Sequence, residues 1–178
     1  MKKGFTLIEV VVTVSIIALL ATFTAVSFNS ARTPSKALEN SGSEIMSVLN
    51  MALDYAHSGY NCCDADEYAY GIYFDGTDYI FFADLTGDYK YTDTGDEIIE
   101  TNSLSGDIEI TSIQYEAPAG DFNNNADTIA FPSPSGSAYY DGGQKNGLLR
   151  IKLEQLEEGI SAYVYISGLT GRVWYEEI

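Results

Sequence analysis

Five carboxylates lie close together in one short stretch of the chain and have the chemistry to bind a hard cation. They are Asp84, Asp88, Asp93, Asp96 and Glu97. Calcium takes about six to eight oxygen ligands, which carboxylates on a turning loop can supply. The register differs from that of an EF-hand loop, because Lys90 and Gly95 stand where two of the ligands would be. Acidic turns are also often solvated, with Asp accepting local backbone hydrogen bonds. Calcium binding and a solvated acidic loop are both open readings of these residues.

The two cysteines, Cys62 and Cys63, are adjacent. In an oxidising compartment they could form a strained disulfide with each other, form disulfides between subunits, or stay as free thiols. We favour the bond between neighbours, in a turn that follows a predicted helix. Zinc binding is not expected, because the pair lacks C-x-x-C spacing and a histidine cluster. The single histidine, His57, is interpreted as a helix-terminal or packing residue.

Composition excludes several classes of protein. With one histidine and two cysteines, the chain has almost no material for a catalytic triad, a Cys/His pair or a multi-histidine metal site. No two of its many acids have a placement that indicates a carboxylate enzyme, so we expect a protein that is not an enzyme. A formal charge of −17 makes a large nucleic-acid surface unexpected. The 178 residues suffice for one modest domain.

The amino terminus is apolar over residues 5–28, and Glu9 is its only ionisable side chain. A helix of that length spans roughly 36 Å, enough to cross a hydrocarbon core of about 30 Å. Lys2 and Lys3 before it favour a cytoplasmic amino terminus and a single pass through the membrane. A carboxylate in lipid is costly unless it is protonated or paired, so Glu9 favours a helix that packs in a bundle.

The first nine residues, MKKGFTLIE, resemble the cleavage and methylation signal of type IV pilins and type II secretion pseudopilins. The resemblance implies that a prepilin peptidase cuts between Gly4 and Phe5 and that the new amino terminus of Phe5 is methylated. It also implies that Glu9 guides subunit docking in a filament. The implied partners are other pilin or pseudopilin subunits, an inner-membrane assembly platform, and membrane lipid before assembly.

A second helix and a β-rich domain are predicted after the apolar segment. Pro34 either kinks the helix or separates two helices, with Thr33 or Ser35 as a cap. One apolar face then runs to about His57, and Ser58-Gly59 is a stop signal. That face comprises Leu38, Ile45, Leu49, Ala52 and Ala56.

The sequence after residue 68 reads as strands and turns, without the alternation of strands and helices that marks a parallel sheet. The first two predicted strands are joined by a turn over Asp75-Gly76-Thr77-Asp78. The predicted strands are Tyr70–Phe74, Tyr79–Ala83, Ile108–Tyr115, Thr128–Phe131, Leu148–Leu153, Ala162–Ile166 and Val173–Tyr175. The predicted fold class is therefore α+β, with a long spine helix packed on an antiparallel sheet.

The β-rich region is similar to the GspH/FimT-type pseudopilin and minor pilin domain. The similarity lies in residues 79–84, the acidic turn at 93–97, the segment Ile129–Gly136 and the closing segment Val164–Val173. Together with the amino-terminal signal, it implies a leader at 1–4, a membrane and filament-core helix at 5–30, a second half of the spine at 31–58, and a globular domain at 59–178. The domain is expected outside the cytoplasm before assembly. After assembly it is expected in the filament, either in the periplasm or at the cell surface.

Two functions follow from these resemblances. The first is a structural, minor subunit of a type II secretion pseudopilus or a type IV pilus. The alternative is a tip subunit that binds a ligand in adhesion or DNA uptake. DNA binding is not expected, because the last eight residues carry one base, Arg172, and two acids. The tyrosines could form a binding surface, but alternation in strands accounts for most of them. They include Tyr68, Tyr70, Tyr73, Tyr139 and Tyr140.

Overall fold

The structure is a computed structural model that describes residues 7–30, 34–60, 68–116, 122–124, 126–144 and 147–177. Gly4 and Phe5 of the predicted cleavage site lie outside the described residues, as do Cys62 and Cys63. The described residues form two helices followed by eleven strands.

Helix α1 spans Leu7–Ser30 and helix α2 spans Pro34–Ser58. Every described side chain of α1, over residues 7–22, is exposed, including Leu7 at 83%. No helix within the described residues combines the length and apolarity that crossing a membrane requires. Pro34 is the first described residue of α2, and the first turn of a helix is a position that proline favours because its missing N–H is not needed there.

Helix α2 supplies one wall of the core. The predicted apolar face is confirmed, because Leu38, Ile45, Leu49, Ala52 and Ala56 are all fully buried. The helix ends where the sequence predicts, and Gly59 takes a left-handed conformation at φ 59°. The N–H of Tyr60 donates to the carbonyl of Tyr55 at 3.2 Å, and their ring centroids lie 4.4 Å apart. This arrangement is a Schellman cap with its apolar contact.

The strands pair entirely antiparallel, as expected. All seven predicted strands are present, and the first hairpin turns at Gly76-Thr77 between the paired Asp75 and Asp78. Four further strands, Glu97–Ser103, Phe122–Asn124, Tyr139–Tyr140 and Gly143–Gln144, were not predicted. In chain order the strands are β1 Ala69–Asp75, β2 Asp78–Asp84, β3 Glu97–Ser103, β4 Ile108–Glu116, β5 Phe122–Asn124, β6 Thr128–Pro132, β7 Tyr139–Tyr140, β8 Gly143–Gln144, β9 Leu148–Gln155, β10 Ile160–Ser167 and β11 Val173–Glu177.

The strands form two sheets, where the sequence led us to expect one. Sheet A has the order β3-β2-β1-β6-β7-β8 and sheet B the order β11-β10-β9-β4-β5. The chain leaves sheet A after β3 and enters sheet B at β4, which then pairs with β9. Helix α2 packs against strands of both sheets, so one core lies between the helix and the two inner faces. The hydroxyl of Tyr140 in sheet A donates to the carbonyl of Ile113 in sheet B at 3.0 Å and ties the sheets together.

Candidate functional site

Glu9 lies in the first turn of α1, and its side chain is exposed. A carboxylate at this end of a helix is favoured by the partial positive charge of the free N–H groups. One turn later, the Thr13 hydroxyl donates to the backbone carbonyls of Glu9 and Val10 at 3.0 and 2.9 Å. The polar hydroxyl is therefore satisfied within the helix, and most of the described side chains of α1, over residues 7–22, are apolar.

The acidic loop is held together by its own carboxylates. Asp84 is fully buried, and its Oδ1 accepts hydrogen bonds from the N–H groups of Thr86 and Gly87 at 2.9 and 2.8 Å. Its Oδ2 accepts the N–H of Tyr89 at 2.9 Å. These bonds occupy the oxygens that a cation would need.

Asp96 has the same role at the other end of the loop. It accepts the N–H of Leu85 at 3.2 Å and the N–H of Thr92 at 2.7 Å. Burial raises the pKa of the Asp96 carboxyl above its ordinary value, and the charge of nearby Asp84 raises it further, while the bonds from Thr92 and Leu85 act in the opposite direction. Asp84 and Asp96 therefore hold the loop in its fold, although the burial of Asp96 and its repulsion by Asp84 are unfavourable.

Calcium binding was one of the two open interpretations of the five carboxylates. Within the described part of the chain, no three Asp, Glu, His or Cys side chains come together as a possible metal-ligand set. The physical reason is that Asp84 and Asp96 bond inward to backbone N–H groups, while Asp88, Asp93 and Glu97 are exposed. Asp84 and Asp96 fit the other interpretation, in which the carboxylates of an acidic loop accept local backbone hydrogen bonds.

The loop at 85–96 covers the outer face of sheet A. Tyr91 packs on Phe82 and Tyr73, with ring centroids 5.3 and 5.0 Å apart. Burial, and then a hydrogen bond to Asp93, raise the pKa of Tyr91 to about 12. The cover leaves Phe82 fully buried although it points away from α2.

The tyrosines named from the sequence have mainly structural positions. Tyr70 and Tyr140 are buried in the core, and the rings of Tyr73 and Tyr139 pack on loop tyrosines. Tyr68 is half exposed at 51%. His57 lies exposed in the last turn of α2, as interpreted from the sequence.

One surface was missed in the sequence: the outer face of sheet B. Leu149, Ile151 and Leu153 of β9 are fully buried, so the residues between them point outward. The same alternation in β10 turns two tyrosines outward beside them. We call this surface the aromatic–basic face, and it comprises Arg150, Lys152, Tyr163, Tyr165 and Trp174. The sequence could have indicated this face, because buried apolar residues alternate with outward-pointing residues in LLRIKLEQ of β9 and ISAYVYIS of β10.

Arg150 is the most constrained residue of this face. Its guanidinium carbon lies 3.6 Å from the ring centroid of Phe122 and 4.5 Å from that of Tyr163. Its Nε donates to Gln114 Oε1 at 2.6 Å. Beside it, Tyr165 and Trp174 stack with centroids 5.4 Å apart and planes at 15°. The face therefore presents a fixed cation beside an aromatic stack.

A groove of about 250 Å³ lies between α2 and the edge strand β3. Glu44 and Glu100 are among its lining residues, together with Tyr79, whose hydroxyl donates to Glu44 Oε1 at 2.7 Å. Burial, followed by the hydrogen bond and charge of Glu44 and the charge of Glu100, raises the pKa of Tyr79. The groove is thus a negatively charged site.

The α+β architecture, with two helices followed by antiparallel strands, is consistent with a pilin-like fold. Residues 1–25 match the family model described as the prokaryotic N-terminal methylation motif. The motif is a type IV pilin-like prepilin signal, and it indicates a structural protein and not an enzyme. No curated protein and no solved structure matches the chain.

Proposed function

We propose that the chain is a minor structural subunit of a type II secretion pseudopilus or a type IV pilus. The observation that carries the proposal is the methylation motif at residues 1–25, which extends over most of α1. The described side chains of that helix are exposed and mostly apolar. A helix that is apolar on all sides is stable only where lipid or other helices cover it.

In this proposal a prepilin peptidase removes residues 1–4 and methylates the amino group of Phe5. Before assembly, residues 5–30 cross the inner membrane once with the amino terminus in the cytoplasm, as Lys2 and Lys3 favour. Residues 31–58 complete the spine, and the domain at 59–178 stays outside the cytoplasm. The assembly platform then transfers the helix from lipid into a bundle of subunits.

The GspH/FimT-type assignment is supported by where the resembling segments fall. Phe131-Pro132 ends β6, and Gly136 follows in a turn with φ 62°. Thr170-Gly171-Arg172 forms the turn between β10 and β11, with Gly171 at φ 66°. These are the strand-and-turn positions that the family's two elements would occupy.

The test is the intact mass and amino-terminal sequence of the chain isolated from the membranes of cells that make it. A chain that begins at N-methylated Phe5 is the expected result. A Gly4→Leu variant serves as the control, because loss of the small residue before the cut should leave Met1–Gly4 in place. If the natural chain retains Met1–Gly4 in cells that process other prepilins, the proposal is wrong.

A further inference from the structure

Strand β3 leaves one side of its backbone unpaired. It stands at the end of the strand order of sheet A, and among the described residues β2 is the strand that pairs with it. Five of its seven side chains are exposed, and Ile98 is exposed at 47%. The N–H and C=O groups on the free side of β3, which we call the β3 edge, can therefore pair with a further strand.

The groove between α2 and β3 lies beside the β3 edge. Glu100 and Asn102 line it from β3, and their strand partners Phe81 and Tyr79 belong to the core. Because cross-strand partners share a face of the sheet, Glu100 and Asn102 are on the side of sheet A that faces α2. A strand added to the β3 edge would place every second side chain on this same side, next to the groove.

Two carboxylates give the groove its charge. Glu44 lines it from α2 and Glu100 lines it from β3. Burial, followed by the hydrogen bond and charge of Glu44 and the charge of Glu100, raises the pKa of Tyr79, so both carboxylates lie near its hydroxyl. Neither glutamate has a cation within 4.0 Å in the part of the chain that the structure describes. The groove therefore favours a positively charged side chain.

The other residues of the groove fit the stem of such a side chain. Val48 and Met51 line it from α2, beside Glu44. Lysine and arginine carry their charge at the end of an aliphatic stem, which packs on apolar surface while the charged group stays in a polar environment. A lysine or arginine can thus place its stem on Val48 and Met51 and its cation between the two carboxylates.

We propose that the β3 edge binds an extended segment of a different subunit of the same filament, and that a lysine or arginine of this segment enters the groove. The segment pairs with β3 as a seventh strand of sheet A. In this mode of recognition, backbone hydrogen bonds give affinity, and pockets for alternate side chains give specificity. The inference rests on the proposed function, because a minor subunit has subunits of other kinds as neighbours.

A second copy of the chain is a poor occupant of the β3 edge. Pairing of β3 with β3 would bring Glu97 and Glu100 of one copy against the same acidic strand of the other, and like charges on paired strands are destabilising. Two chains with a formal charge of −17 also repel each other. The acidic side chains thus disfavour self-pairing and still admit a basic strand.

The first experiment measures binding of a defined strand to the full-length chain in detergent. The probe is the peptide Thr-Val-Thr-Lys-Thr-Val-Thr, labelled with a fluorophore at its amino terminus and amidated at its carboxyl terminus. Its anisotropy should rise with protein concentration. A peptide with Glu in place of Lys should bind at least about fivefold more weakly, the upper range for an exposed ion pair. A peptide with Pro in place of the central Lys should not bind, because it lacks both the cation and a backbone donor.

A charge exchange then tests the groove. Glu100→Lys should weaken binding of the Lys peptide about fivefold and strengthen binding of the Glu peptide. Glu176→Lys, at an exposed position of β11, changes the net charge equally and is the matched control that should keep the preference for the Lys peptide. Misfolding of Glu100→Lys would weaken both peptides and could not exchange the preference. No binding of the Lys peptide, or equal binding of the three peptides, would overturn the proposed site.

The second experiment identifies the partner in sheared filaments. Benzoylphenylalanine replaces Thr101, which is exposed and lies between Glu100 and Asn102, so it points away from the groove. Photo-crosslinks should join the chain to a subunit that has its own methylation motif, as identified by mass spectrometry. Glu100→Lys should abolish these crosslinks and Glu176→Lys should not. Crosslinks to a second copy, or to an exported protein, would overturn the assigned partner.

The amino-terminal sequence is read from the same material. Chains that begin at methylated Phe5 but give no crosslink to another subunit refute the docking alone. Chains that retain Met1–Gly4 refute the proposed function, whereas the peptide measurements still decide whether the β3 edge and the groove bind a basic strand.

Discussion

The ring of Phe82 lies across the backbone of its strand partner Gly71, so closely that a methyl group on Gly71 would stand 2.7 Å from the ring. The same methyl group would lie 2.9 Å from the backbone oxygen of Ile129 on the other neighbouring strand. Only a residue without Cβ fits between the two strands. Glycine at this position is therefore a packing requirement of sheet A.

Gly71→Ala should destabilise the domain by about 1–3 kcal/mol, the usual cost of overpacking. The Ile129 oxygen belongs to the backbone, so the side chain of Phe82 cannot relieve the contact alone. The measurement is urea denaturation of the full-length chain in detergent. Ser105→Ala, at an exposed turn position, should change the stability by no more than about 0.5 kcal/mol. Equal stability of the two variants would contradict the packing argument.

Asp84→Asn should loosen the loop at 85–96. An amide keeps one acceptor oxygen but presents an NH₂ group to N–H donors, so at least one buried bond from Gly87 or Tyr89 is lost, at about 1–3 kcal/mol. Amide hydrogen exchange at these residues should accelerate. Asp88→Asn is the control, because exposed Asp88 accepts one bond, from the Lys90 N–H at 3.0 Å. Slow exchange in Asp84→Asn would refute the role of the carboxylate.

The raised pKa of Asp96 predicts a pH dependence. The folded protein holds the Asp96 proton to a higher pH than the unfolded chain, so the free energy of unfolding falls as the pH rises from the ordinary aspartate pKa through the raised one. The stabilisation is fully present below that window. Urea midpoints across this range should fall less steeply in Asp96→Asn than in the natural chain. Parallel curves for the two proteins would show that Asp96 does not titrate as described.

Glu9→Leu should leave membrane insertion intact, because it removes the one ionisable group of the apolar segment. Under the proposed function, the variant should fail to join filaments that also contain the natural subunit. The matched control is Thr13→Val one turn later, whose lost hydroxyl bonds only to carbonyls of its own helix. The readout is the share of each variant in sheared filaments, and normal incorporation of Glu9→Leu would remove the assembly role of this carboxylate.

Periodicity revealed most of the fold. The buried positions of α2 recur at helical spacing, and the Gly59 stop has its left-handed conformation, so local sequence was sufficient for both. The first hairpin was equally readable from its Gly76-Thr77 turn. Strand β3 was not, because its exposed side chains show no inward alternation and its pairing with β2 contains a bulge at Phe81/Phe82.

The site was less predictable than the fold. The number of acids in the 84–97 segment made calcium binding one interpretation of the loop. Whether Asp84 instead turns inward to backbone N–H groups depends on the path of the loop, and composition does not encode that path. The aromatic–basic face depends on the pairing of β9 with β10. That pairing sets Arg150 opposite Tyr165 from positions 15 residues apart in the chain.

The separation between α1 and the core has a mechanical meaning. No described side chain at 7–22 is buried, whereas α2 and the two sheets enclose the core by themselves. The surroundings of α1 can therefore change from one apolar medium to another without breaking a core contact made by those side chains. Under the proposed function, the subunit would keep its domain folded while α1 is transferred from lipid to the filament.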